Sequence, residues 1–135
     1  MPLLFRESPL NSIWEGSGNV NALDVLRALA REPESLEAWI TEVGKAHGAD
    51  ARLDDAIRRT LEGLADTASS EVNARRLAVS MATCLQGALL VQHAPAEVAD
   101  AFCASRLGGE YGGTLGTLPG GLDLASIVER ATPVV

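Results

Sequence analysis

Apolar residues that recur at intervals of three and four, in segments punctuated by Pro and Gly, constrain this chain more than any other feature. Leu53, Ile57, Leu61 and Leu64 form one stripe, and Leu77, Met81, Leu85, Ala88 and Leu89 form a longer one. That spacing follows the α-helical period, so each stripe lies on one helix face and needs a neighbour to cover it. Aromatic residues are 4% of the sequence against 47% apolar residues overall, so the core has to be built from Ala, Leu, Val and Ile, which suits packed helices. With 135 residues the chain can form one domain, and a domain of that size buries about two thirds of its unfolded surface. The expected fold is all-α, an antiparallel helical bundle with short connections.

Residues 1 to 18 hold turn formers and no helical period, which predicts an extended lead-in and loop. A first helix is expected from about Val20 to Arg31, apolar on more than one side through Val20, Leu23, Val25, Leu26 and Leu29, with Asn19 and Asn21 competing as its N-cap. Pro33 opens a second helix that runs to about His47 and stops at Gly48. Asp50 caps a third, Ala51 to about Ala65, and Ser69 or Ser70 opens the longest, ending near His93. Pro95 starts a fifth, carrying Val98, Ala101, Phe102 and Leu107. Seven of the thirteen glycines fall between Gly108 and Gly121, a loop ahead of a short last helix, Leu124 to Ala131, that Asp123 can cap.

The formal net charge is -7, which works against generic binding of polyphosphates or anionic membranes. Two doublets, Arg58-Arg59 and Arg75-Arg76, could still form a basic ridge, or be ordinary helix surface paired with Asp54, Asp55, Glu62 or Glu71. Cys84 and Cys103 lie on different helices without metal or redox spacing and read as small buried hydrophobes. His47 and His93 fall at helix C-termini, where the macrodipole favours a cation, and no metal site is assigned. The glycine-rich loop has no Gly-Lys-Ser/Thr ending and no strand before it, so a lid or surface loop is expected there and not a phosphate cradle. The N-terminus has no signal-peptide pattern and no apolar run reaches membrane-spanning length, so a cytoplasmic chain without membrane contact is expected.

Glu15 stands apart. It lies between the apolar pair Ile13-Trp14 and the tight turn Gly16-Ser17-Gly18. It can be a solvated turn residue. A carboxylate held beside Trp in a partly dry pocket, however, has a raised pKa and can accept a proton. Glycine lets backbone approach a ligand closely, and Ser17 and Asn19 bring hydrogen-bonding groups to a helix N-terminus, a place suited to a phosphate or a cofactor edge.

The run FRESPLNSIWEGSGNVNALDVLRAL resembles the catalytic-loop segment of the flavin-dependent acyl-CoA dehydrogenase superfamily, in its alkylation-response, AidB-like branch. Trp14 to Asn19 matches the branch pattern Trp-Glu-Gly-Ser-Gly-Asn, and the segments LLVQHAPAEVADAFCASRLGG and LDLASIVERATPVV resemble its last helices. The resemblance implies that Glu15 is the base that removes the α-proton of an acyl-CoA thioester, with Gly16, Ser17 and Asn19 at positions that contact FAD. It implies a division into residues 1–32, the catalytic-loop segment with the last helix of the dehydrogenase bundle, and residues 33–135, an AidB-like helical extension. It covers about the last quarter of such a protein, so the chain alone is expected to be inactive and to bind FAD weakly or not at all. The branch is associated with DNA binding, which the net charge of -7 disfavours here. The competing expectation is a non-catalytic helical module that binds protein or DNA. Bundles of this superfamily assemble as oligomers, and the apolar helix at 20–31 predicts a homo-oligomer or a partner chain that covers it.

Overall fold

The protein is described here by a computed structural model, covering residues 2–12, 14, 18–109 and 117–133. It is all-α, with no strand among these residues. Helix α1 is Pro2–Glu7, followed by a 3-10 turn over Ser8–Ser12. Then come α2 (Gly18–Arg31), α3 (Pro33–Gly44), α4 (Ala51–Ala65), α5 (Ala74–His93), α6 (Ala96–Phe102) and α7 (Leu124–Ala131). A π-helical turn, Cys103–Leu107, continues α6.

The signals with a local mechanism act where expected. The Asp50 carboxylate accepts from Arg52 N–H at 2.8 Å and Leu53 N–H at 3.4 Å, satisfying donors that the first turn of α4 leaves unpaired. Asp123 Oδ1 accepts from Ser126 N–H at 3.1 Å and does the same for α7. Pro33 occupies the first turn of α3, where its missing N–H costs nothing. Gly48, at φ 81°, turns the chain towards α4 but is not the stop of α3, which ends at Gly44 and not near His47.

Three further expectations need correction. The lead-in is not extended: Pro2 starts a six-residue helix, and the Ser8 hydroxyl donates to Phe5 O at 3.1 Å as the chain passes into the 3-10 turn. An element so short holds less than two turns, too few to display a period. Helix α5 begins at Ala74 and not at Ser69 or Ser70; the Ser70 hydroxyl is spent on Thr67 O at 3.0 Å, within a run of turns. Asn19 and Asn21 both lie inside α2, which begins at Gly18, so neither is its N-cap.

Helix α5 is the central element and packs against α2, α3, α4 and α6. The main core joins Val43 and Ala46, Leu53 and Ala56 of α4, Cys84 and Ala88 of α5, and Cys103 and Leu107 of the π-helical turn. Gly87 permits this closeness: a Cβ there would lie 3.1 Å from Leu107 Cδ1 and 3.2 Å from Leu53 Cδ1. Polar groups inside are satisfied. Trp39 Nε1–H donates to Met81 O at 3.2 Å, and the buried Thr60 hydroxyl donates to Ala56 O at 2.8 Å. Helix α2 buries only Ala22, leaving Val20 and Leu23 exposed, so the helix read as apolar on most sides is covered on one.

Candidate functional site

The turn expected to carry the chemistry lies between the 3-10 turn and α2. Trp14 N–H donates to Leu10 O at 3.1 Å, and its indole is 58% exposed. Glu15, Gly16 and Ser17 lie outside the described residues. Gly18 and Asn19 follow as the first residues of α2. The exposed Asn19 side chain accepts through Oδ1 from Arg75 Nη1–H at 3.2 Å, a hydrogen bond spanning 56 residues of sequence. The guanidinium also lies against Gly18, where a Cβ would meet Arg75 Nη2 at 2.9 Å.

This arrangement runs against the helix dipole, which disfavours a cation at an N-terminus. The Asn19 carbonyl compensates locally by presenting a partial negative charge to the guanidinium. No sequence signal pointed to Arg75 as a neighbour of this turn, because nothing local relates residue 19 to residue 75. The other arginines divide similarly. Arg58 pairs with Asp55 and with Glu62 Oε1, the latter at 2.7 Å, and Arg59 pairs with Asp55. The doublets therefore do not form one continuous ridge: Arg58 and Arg59 are paired with acids on α4 and Arg75 turns to α2, while Arg59 and Arg76, one from each doublet, line a common groove.

A second polar cluster joins α4 to α6. Arg52 donates to Asp50 through Nε at 3.1 Å and Nη2 at 2.6 Å, and Nη2 also reaches Asp100 Oδ1 at 2.7 Å. The Arg52 guanidinium holds the Asp50 carboxyl below the ordinary carboxylate range, outweighing the effect of burial. Cys103 lies beside the cluster and is fully buried; desolvation first, then the Asp50 charge, push its thiol up to about 11. Cys84 is also buried and its thiol is raised by desolvation, so neither is an activated nucleophile. The cluster clamps two helices.

His47 Nδ1 lies 3.3 Å from Asp54 Oδ1, in the turn after α3 that Gly48 N–H also ties to Asp54 at 3.1 Å. Among the described residues no group of three His, Cys, Asp or Glu could hold a metal ion. No helix of the described residues is long and apolar enough to cross a membrane.

The all-α fold and the sequence Trp-Glu-Gly-Ser-Gly-Asn ahead of α2 agree with the resemblance to the acyl-CoA dehydrogenase family. Two relatives make the placement specific. The chain is 35% identical over 103 residues, 76% of its length, to AidB of Escherichia coli (strain K12), provisionally named an acyl-CoA dehydrogenase. It is 28% identical over 113 residues, 70% of its length, to acyl-CoA dehydrogenase family member 11 of Caenorhabditis elegans. It spans 19% of the first relative and 18% of the second. No family model matches the chain, and no solved structure matches it. The chain is homologous to a segment of AidB-like proteins of the acyl-CoA dehydrogenase family.

Proposed function

We propose that this segment supplies one wall of the active site of an AidB-like acyl-CoA dehydrogenase, with Glu15 as the base that takes the α-proton of an acyl-CoA thioester. The observation that carries the reading is the 35% identity to AidB over 76% of the chain. On this reading residues 1–32 bring the catalytic turn and a bundle helix, and residues 33–135 are an appended helical unit.

FAD would supply the hydride acceptor for the β-carbon. Gly16, Ser17 and Asn19 would line its edge. Asn19, the member of that set within the described residues, fits the role in chemistry: it is exposed, and with Oδ1 committed to Arg75 its amide N–H groups remain available as donors. Glu15 would act from the face of the thioester opposite the hydride acceptor, because proton and hydride leave in opposite directions. Trp14 beside it would limit water access and keep the carboxylate basic enough to accept a carbon-bound proton. The chain by itself would neither turn over acyl-CoA nor retain flavin.

The test is Glu15→Gln in the complete AidB-like protein that contains this segment. Turnover of an acyl-CoA should fall by about 100-fold to 10,000-fold, the usual contribution of a general base, while the flavin spectrum stays unchanged. Unaltered turnover would refute the assignment.

A second reading, a helical surface for a partner chain, is favoured by one observation. Leu3, Leu4 and Phe5 of α1, together with Trp14 and Val20, are all more than half exposed. Such a surface suits a second copy of the chain or the remainder of a larger bundle. Analytical ultracentrifugation separates the two readings: a concentration-independent monomer would leave that surface without a self-association role.

A further inference from the structure

A groove of about 390 Å³ opens between α4, α5 and the π-helical turn. Arg59 contributes from α4, Arg76 from α5 and Arg106 from the π-helical turn, so arginines from three elements line one concavity. Asp66 is the acidic residue of the lining. For a chain of net charge -7 this concentration of positive charge is a local inversion.

Helix α5 presents Asn73, Arg76 and Ser80 to the groove at intervals of three and four, so they share one face. Their side chains make no hydrogen bond or ion pair with another described residue. Asn73 occupies the N-cap position of α5 without capping it. A guanidinium, an amide and a hydroxyl with unspent donors therefore face the same space. Arg59 is paired with Asp55, and Arg106 is engaged within the protein, so both add charge while Arg76 is the fork left open to a ligand.

A planar guanidinium fork matches phosphate oxygens in pairs. The volume falls at the small end of ligand pockets, roughly 300 to 1,000 Å³. That is adequate for a phosphate on a small polar body. We propose that the groove binds a small phosphate monoester, its phosphate held by Arg76 with the charge of Arg59 beside it, its polar body bonded by Asn73 and Ser80, with a ligand hydroxyl or amine facing Asp66. The site is independent of Glu15 and of the dehydrogenase reading.

The full chain should be titrated calorimetrically with inorganic phosphate and with adenosine monophosphate at fixed ionic strength. Both should bind saturably, adenosine monophosphate the more tightly. Arg76→Gln should weaken both by about tenfold or more, the cost of a charged hydrogen-bonding partner, and Arg76→Lys by less because charge survives without the fork. Ser80→Ala should weaken adenosine monophosphate and leave phosphate unchanged. Arg58→Gln, outside the groove lining, should alter neither by more than about twofold. Arg76 is exposed, and melting without phosphate confirms that its variants fold. Absence of saturable binding, or equal affinities in wild type and Arg76→Gln, would overturn the proposal. So would displacement of the nucleotide by duplex DNA with equal sensitivity to Arg58→Gln, Arg75→Gln and Arg76→Gln, which would mark a diffuse nucleic-acid face.

Discussion

Replacing Asp50 with Ala removes more than one interaction, and the structure allows each to be weighed. The cap on Arg52 N–H and Leu53 N–H goes first; losing a helix cap costs typically about 1 kcal/mol. The bonds from Arg52 Nε and Nη2 go with it; hydrogen bonds to charged groups contribute about 1.5 to 3 kcal/mol. The guanidinium keeps Asp100 Oδ1 at 2.7 Å and is 35% exposed, so it is not stranded and the lower half of that range applies. The sum is about 2 to 3 kcal/mol, or a fall in Tm of about 6 to 10 °C for a domain of this size. Asp50→Asn keeps an acceptor oxygen for the backbone N–H groups and should cost about half as much. Because the Asp50 carboxyl is held below its ordinary value, its contribution is fully present above the unfolded pKa and is lost as pH falls through the folded one. The gap in Tm between wild type and Asp50→Ala should therefore hold from pH 7 to about 5 and narrow below about 4. Circular-dichroism melts measure all of this. A gap within about 1 °C at neutral pH, or one that persists unchanged at about pH 3, would refute the reasoning.

Two further outcomes follow from the core. Gly87→Val places γ-methyls beyond a Cβ position already 3.1 and 3.2 Å from Leu107 and Leu53; urea unfolding should show a loss of about 1 to 3 kcal/mol, the usual cost of overpacking, and an unchanged midpoint would mean that α5 does not approach α4 this closely. Cys103, fully buried with a thiol pushed up to about 11, should resist iodoacetamide at pH 8 in the native protein and react as urea unfolds it; rapid labelling without denaturant would contradict its placement.

The helices that the sequence discloses are those whose limits rest on local chemistry. Asp50, Pro33 and Asp123 each act through residues within three or four positions, so the boundaries of α4 and α7 and the start of α3 could be read in advance, whereas Gly48 did not mark the end of α3 at Gly44. The start of α5 could not. Ser69 and Ser70 have good capping chemistry, but the chain from 66 to 73 makes turns and reaches α5 at Asn73, which caps nothing. The π-helical turn at Cys103–Leu107 was also invisible. It shows itself as Gly108 N–H bonding to Cys103 O at 2.9 Å, and Gly108 fits there because a Cβ would meet Ala104 O at 2.8 Å. At the candidate site, Glu15 and its turn were legible as a motif, whereas Arg75 was not.

The arginine doublets show why the groove escaped a linear reading. Neighbouring residues on a helix point about 100° apart, so a doublet places its charges on different faces. Arg75 goes to Asn19 and Gly18 of α2, while its neighbour Arg76 lines the α4–α5 groove. One helix thus serves two places. Through Arg75, α5 also holds Gly18 and Asn19, the first residues of α2, against the unfavourable helix dipole. The start of α2 is thus held partly by an element outside residues 1–32.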